Sequence, residues 1–137
     1  MTAAVNAVAA SGPGRWLVAD ICATHARFAR ATAAGVAGDP LILPTGDFES
    51  QGALLARVLG EFDPAGLEAA CLAIAGPVEN GRGRITNGTL TFDAGTVAEA
   101  LGCSVHVIND FQALARGLPR LRDLRQIGGG SAVPGGL

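Results

Sequence analysis

An uninterrupted apolar run at residues 69–75 (AACLAIA) constrains the fold more than any other feature of this chain. The run ends sharply at Gly76 and Pro77, two residues that punctuate secondary structure. A short apolar run with such a boundary predicts a strand that is buried on both of its faces. Strands of that kind occur in sheets covered by helices, so we expect residues 69–75 to lie inside an α/β sheet.

Shorter patterns supply the other elements. Alternating or continuous apolar stretches predict strands, and apolar stripes at helical spacing predict helices. The predicted strands are residues 16–20, 25–30, 41–43, 69–75 and 104–108, the last again as a buried strand. The predicted helices are residues 48–62, 94–101 and 111–117. The resulting order, β-β-β-α-β-α-β-α, indicates a mixed five-stranded sheet with flanking helices.

Local signals set several boundaries. A turn is predicted at Gly35, Gly38, Asp39 and Pro40, ahead of the third strand. Asp47 or Ser50 is expected to cap the first helix. For the second helix, Asp93 is expected to cap the start and Gly102 to close the end.

Composition bounds the class of protein. The 137 residues are 49% hydrophobic and 16% charged, which suits one compact domain. We expect a flexible leader at residues 1–14, one folded lobe at residues 15–127 and a Gly-rich tail at residues 128–137. All ten basic residues are Arg, which removes Schiff-base and P-loop lysine chemistry. The Arg residues form no continuous run, so neither a nucleic acid nor a membrane is an expected partner.

The cysteines and the amino terminus indicate a cytoplasmic protein. Cys22, Cys71 and Cys103 are odd in number and form no CxxC pair, so we expect reduced thiols and no zinc cage. The leader lacks a basic segment and is too short and too weakly hydrophobic for a signal peptide or a membrane span.

Ligands of open α/β sheets bind beyond the carboxyl ends of the strands. This rule selects the loop at Asp20, the turn at residues 75–77, and the pair Asn109 and Asp110. A carboxylate at Asp110 can accept a proton from an attacking hydroxyl, or it can simply cap the helix that follows, and both roles need the same place. Asp20 also has two possible roles, as a turn residue or as an acid facing magnesium-bound water.

Four motifs in order resemble bacterial glucokinases. Residues 17–27 (LVADICATHAR) are similar to that family's first phosphate-binding motif, and residues 73–78 (AIAGPV) to its strand and turn. Residues 85–87 (ITN) and 107–111 (VINDF) are also similar, and residues 126–130 look like the family's continuation. The resemblance extends from about residue 16 to residue 130.

The resemblance implies a fold, a reaction and a set of roles. The fold would be the ribonuclease H-like fold of actin-like ATPases, in which two lobes close over sugar and ATP. The reaction would be ATP-dependent phosphorylation of glucose to glucose 6-phosphate, with Mg²⁺. Asp110 would be the base for the glucose 6-hydroxyl, with Asn87 and Asn109 as sugar ligands. The residues that would face phosphate or magnesium are Asp20, Cys22, Ala23, Thr24 and Arg27.

The chain also departs from the family pattern. Cys22 and Ala23 stand where the family has two glycines, and His25 stands where it has Asn. Gly88 and Leu90 stand where it usually has His and Trp. Glycine allows positive φ and close approach of amides to phosphate, so weaker phosphate binding is expected here.

Length is a further departure, since the family's proteins are more than twice as long and this chain would lack the carboxyl-terminal lobe. Little turnover is expected from it alone, because phosphoryl transfer depends on positioning between parts, and an isolated lobe is expected to self-associate. Other hypotheses are a non-catalytic sugar-binding or regulatory module, a kinase for a different hexose, and a redox role for Cys22.

Overall fold

The computed structural model describes residues 14–123 and residue 125 of the chain, and both the predicted tail and residues 1–13 of the predicted leader lie outside that range. Its strands are β1 (Trp16–Ile21), β2 (His25–Thr32), β3 (Gly35–Pro44), β4 (Ala69–Ile74), β5 (Val78–Glu79), β6 (Arg82–Arg84), β7 (Thr91–Asp93) and β8 (Ser104–Asn109). Its α-helices are α1 (Gln51–Leu59), α2 (Ala94–Leu101) and α3 (Asp110–Gly117). Two short 3₁₀ segments cover Thr45–Asp47 and Leu118–Arg120.

Five strands form one mixed sheet in the order β3-β2-β1-β4-β8. The pairs β1–β2 and β2–β3 are antiparallel, whereas β1–β4 and β4–β8 are parallel. The mixed α/β architecture and its five-stranded sheet are therefore as predicted. The sequence predicts short extended pieces at residues 84–87 and 89–92, and β6 and β7 overlap them. Strand β5 and the pairing of β5-β6-β7 into a second sheet were not predicted, because strands of two or three residues carry too little pattern to be recognised.

One face of the main sheet carries the core. Its side chains pack with apolar residues of α1, α2 and the second sheet, and the residues of this cluster are at most 8% exposed. Members of this cluster are Leu17, Ile21, Phe28, Leu54, Val58, Leu72, Ile74, Phe92 and Val97.

The opposite face is only partly covered. Along β4, every second residue is half-buried rather than buried, so the expectation of a strand buried on both faces is wrong for the second face. The expected second buried strand, β8, lies at the edge of the sheet, and only Val107 in it is buried. Trp16, 36% exposed, and Ile42, 52% exposed, leave this open face apolar.

Strand β3 is longer than predicted, and the predicted turn at residues 35–40 is wrong. The hairpin turn lies at Ala33 and Ala34, and β3 begins at Gly35. Gly35 and Gly38 take positive φ inside the strand, and the pairing register shifts between Phe28 and Arg30. An irregular edge strand tolerates both glycine and proline, which is why turn residues here do not end it.

The helix ends follow local chemistry. Ser50 Oγ accepts from Ala53 N at 3.1 Å, which makes Ser50, not Asp47, the cap of α1. That helix is shorter at both ends than the predicted residues 48–62, because the extended cap Ser50 precedes its first turn and Gly60 is its C-cap. Helix α2 has the predicted cap Asp93 and the predicted closing residue Gly102 at φ 70°.

Candidate functional site

Three chain segments with polar residues meet at one edge of the main sheet. The parallel register aligns Ile21 with Ile74 and Ile74 with Asn109, so β1, β4 and β8 end at the same level. Neighbouring strands are about 4.8 Å apart, which puts the ends of β1 and β8 about 10 Å from each other. The turn after β1 and the start of α3 are therefore neighbours, as the sequence predicted.

The turn at residues 22–24 is tightly bonded within itself. Cys22 N donates to His25 O at 2.9 Å, and Cys22 Sγ lies 3.2 Å from Thr24 Oγ1. His25 N donates to the same sulfur at 3.5 Å. The hydrogen bond to the Thr24 side chain and the backbone contact with His25 lower the pKa of the Cys22 thiol.

The glycine positions of the family motif are filled here without backbone strain. Neither Cys22 nor Ala23 adopts positive φ, and Ala23 packs half-buried against the core. The argument that Cys and Ala would be forced into unfavourable angles is therefore wrong for this turn. What remains is the volume of the Cys22 side chain, which lies against the turn's own donors.

Asp20 and Arg27 face the open side of the sheet. They are cross-strand partners in the β1–β2 register, and Arg27 Nη1 lies 3.5 Å from Asp20 Oδ2. Both side chains are about half exposed, so the ion pair adds little to stability. They line a cleft of about 310 Å³ together with Val18, Ala73 and Ala113.

Asn109 and Asp110 begin α3, one residue earlier than predicted. Asn109 Oδ1 accepts from Phe111 N at 3.0 Å and is the N-cap, while its Nδ2 donates to Gly76 O at 2.7 Å. Asp110 is the first helical residue, is half-buried, and also accepts from Phe111 N through Oδ1 at 2.9 Å. Its second carboxylate oxygen has no hydrogen-bond donor within the described part of the chain.

The turn that carries Asn87 lies beside the end of β4. Thr86 N donates to Ala75 O at 2.9 Å, and Asn87 is exposed at φ 61°. Gly76 allows this close approach, since a Cβ on it would overlap the carbonyl oxygen of Arg84. The segments that carry Asn87 and Asn109, which were predicted to contact sugar, are therefore both hydrogen-bonded to residues 75–76 at the same edge of the sheet.

Two features of the site were not predicted. Thr45, 4% exposed, bonds to the turn through its hydroxyl and its amide, and Asn109 ties β8 to the turn at Gly76. No local sequence pattern signals a bond from Thr45 to a backbone more than twenty residues away. The Gly76-Pro77 pair did mark its turn in the sequence, although not the contact with Arg84.

The described residues limit the metal and thiol chemistry that this site can support. They contain no cluster of three or more His, Cys, Asp or Glu residues that could hold a metal by themselves. Asp20 offers one exposed carboxylate, which fits a Mg²⁺ ion that keeps several waters and is held mostly by phosphates. The three cysteines are free thiols, and burial raises the pKa of Cys71 and Cys103.

No helix among residues 14–123 is long and apolar enough to cross a membrane.

Comparison with known proteins gives consistent relatives. A family model described as Glucokinase matches residues 17–137. The protein named Bifunctional protein glk from Paraburkholderia xenovorans is 35% identical over 98% of this chain and 22% of its own length. The glucokinase of Marinobacter nauticus is 36% identical over 87% of this chain and 38% of its own length.

A solved structure is similar as well. The crystal structure of a glucokinase from an Antarctic psychrotroph superposes with a TM-score of 0.65 at 33% identity. The match covers 78% of this chain and 35% of that protein. The chain thus spans well under half the length of each of these proteins.

Proposed function

The chain belongs to the glucokinase family, and from that premise we propose that residues 15–127 are the sugar-side lobe of an ATP-dependent glucose kinase. The observation that carries the proposal is the shared edge at which β1, β4 and β8 end in register. It supports a site with a phosphate turn on one side and a carboxylate on the other, as in the two-lobed actin-like ATPase fold. We expect it to act in the cytoplasm, at the entry of glucose into glycolysis.

Asp110 is proposed as the general base. Its free carboxylate oxygen can accept the proton of the glucose 6-hydroxyl as that oxygen attacks the terminal phosphoryl group of ATP. The new bond joins the 6-oxygen to phosphorus, the bond to the ADP oxygen breaks, and the products are glucose 6-phosphate, ADP and a proton. Because Asp110 is tied to Phe111 N by its other oxygen, the reacting oxygen is oriented in advance.

Asn87 and Asn109 are proposed to bind sugar hydroxyls. Asn87 has an exposed amide that is free to do so within the described residues. Asn109 has one bond from Nδ2 and one to Oδ1 already made, so it can offer one further donor hydrogen and one acceptor lone pair.

The phosphate side is proposed to consist of Asp20, Cys22, Ala23, Thr24 and Arg27. Thr24 and the Ala23 amide, which is unbonded within the described part of the chain, supply hydrogen-bond donors, and Arg27 supplies a positive charge. Asp20 would hold water molecules of a magnesium ion, which shields phosphate charge when it is bound with ATP. The carboxyl-terminal lobe that longer relatives possess would provide the rest of the nucleotide site, so little turnover is expected from this chain alone.

A second candidate function is a sugar-binding or regulatory module without catalysis. It is favoured by one specific observation, since Cys22 Sγ engages the Thr24 hydroxyl and His25 N–H, two donors that a phosphate would need. A kinase for a different hexose is also compatible with this edge.

A thermal-shift titration separates these proposals. Any ligand that binds only the folded chain raises its Tm. A rise with glucose that Asp110→Asn diminishes, together with a rise with MgATP, supports the kinase lobe. A rise with glucose alone supports the sugar-binding module, and mannose and fructose arms rank the hexoses. No rise with any of them would contradict both proposals.

A further inference from the structure

Thr45 is the only polar or charged residue that is buried within the described part of the chain. It begins the 3₁₀ segment that follows β3 and is 4% exposed. Burying a hydroxyl is unfavourable unless it forms a hydrogen bond, so packing alone does not explain a threonine here.

Both polar groups of Thr45 bond to the turn after β1. Its Oγ1 donates to Cys22 O at 2.8 Å, and its backbone N donates to Thr24 O at 3.0 Å. The amide bond continues the β2–β3 ladder by one step, whereas the hydroxyl bond reaches beyond it. One residue therefore fixes two carbonyls of the turn, those of Cys22 and Thr24, which flank Ala23.

Fixing these carbonyls also fixes the amides. In a trans peptide the C=O and the next N–H point in opposite directions. With Cys22 O and Thr24 O directed at Thr45, the N–H groups of Ala23 and His25 point away from it. His25 N–H accordingly meets Cys22 Sγ at 3.5 Å, and Ala23 N–H has no acceptor within the described residues.

We propose that Thr45 is a positioning residue that holds the turn at residues 22–24 so that the Ala23 amide faces an anionic ligand. It acts through the backbone and does not touch the ligand. Naming the anion as a nucleotide phosphate rests on the proposed function. The clamp, by which we mean the two hydrogen bonds from Thr45 to the turn, does not rest on it.

The test compares three variants of the full chain. Thr45→Val keeps the shape and removes the hydroxyl, Thr45→Ser keeps the hydroxyl, and Ser50→Ala removes the nearby α1 cap without touching the turn. The measurements are the alkylation rate of Cys22 by iodoacetamide and the hydrogen exchange of the His25 amide, which has an acceptor in the turn. Thr45→Val should change the alkylation rate several-fold and accelerate exchange in the turn. Thr45→Ser should restore wild-type rates, and Ser50→Ala should lower the Tm with those rates unchanged.

Unchanged turn rates in Thr45→Val, or equal changes in Ser50→Ala, would overturn the proposal. If Thr45→Val does not fold, the wild-type chain decides, because a Thr45 amide that exchanges without protection would show that the clamp is absent. A separate titration of wild type with MgATP follows the Ala23 and His25 amides. A clamped turn whose amides ignore MgATP would keep the role of Thr45 and count against the nucleotide site.

Discussion

Asn109 joins three parts of the chain with one side chain. The side-chain Nδ2 of Asn109 donates to Gly76 O, its Oδ1 caps α3, and Asn109 itself is the last residue of β8. Asp110 and Thr24 likewise make bonds inside the chain as well as being assigned to a ligand. At the scale of residues, substitutions in this site must therefore be chosen so that a lost ligand contact is distinguishable from lost stability.

Asn87 allows such a choice because its backbone lies at φ 61°, a conformation that glycine adopts freely. Asn87→Gly should keep the free energy of unfolding near the wild-type value, whereas Asn87→Ala should lower it by about 1 kcal/mol. Urea unfolding measures both. If Asn87 binds sugar, the glucose-induced rise in Tm should vanish in both variants, and a full response in Asn87→Gly would rule that role out.

Cys22 should be the most reactive of the three thiols near neutral pH. The Thr24 hydroxyl lowers its pKa, while burial raises the pKa of Cys71 and Cys103. Because the thiolate is the nucleophile, iodoacetamide should label Cys22 first, as read by peptide mass spectrometry. Thr24→Val should slow this labelling several-fold and leave the other two rates unchanged. Faster labelling of Cys71 would contradict the assignment.

At the scale of elements, the tight turn after β4 brings the sheet edge and the second sheet together. A Cβ at Gly76 would overlap the Arg84 carbonyl oxygen, and backbone atoms cannot rotate out of the way. Gly76→Ala should therefore cost about 3 kcal/mol in the free energy of unfolding, near the upper end for overpacking. Gly117→Ala is the matched control, since its Cβ would enter open space and leave stability unchanged or slightly higher.

The cap of α2 should make stability depend on pH. Bonds from Thr96 N and Thr96 Oγ1 lower the pKa of Asp93 in the folded chain relative to the unfolded chain. Its contribution is complete above the unfolded-state pKa and is lost as pH falls through the lower folded pKa. The stability difference between wild type and Asp93→Asn should shrink over that acidic interval in urea titrations. A difference that stays constant with pH would contradict this origin.

At this scale, a feature could be predicted from the sequence when the residues that determine it lie close together in the chain. Helix α2 was predicted completely because Asp93 and Gly102 mark its ends, and the common edge was predicted because apolar runs there precede Asp20, Gly76 and Asn109. Strand β3 was mispredicted because glycines in a sequence usually signal a turn, whereas an edge strand such as β3 tolerates them. Thr45 was missed because its partner is the distant backbone of Cys22.

At the scale of the whole molecule, the half-covered face of the sheet continues onto α3. Ala113 of α3 lines the cleft on that face, and its helix neighbours Phe111 and Leu114 are 74% and 56% exposed. Apolar surface of this kind favours association. We expect the isolated chain to self-associate at high concentration.

A charge on the open face should oppose that association. Ile42→Glu should shift the chain toward monomer in sedimentation velocity with little change in Tm, because Ile42 is already 52% exposed. Ala56→Glu adds the same charge on the exposed side of α1 and should leave the distribution unchanged. An equal shift in both variants would point to net charge rather than to this face.

The two edges of β1 also differ in when each can pair with its neighbouring strand. On one side it pairs with β2, the next strand in the chain, and on the other with β4, whose residues 69–74 come much later. Pairings between nearby segments close faster than distant ones. During synthesis the β1–β3 meander can therefore assemble first and leave one edge of β1 unpaired until β4 emerges. That interval is when the nascent chain is most exposed to aggregation, since an unpaired strand edge is a template for other chains.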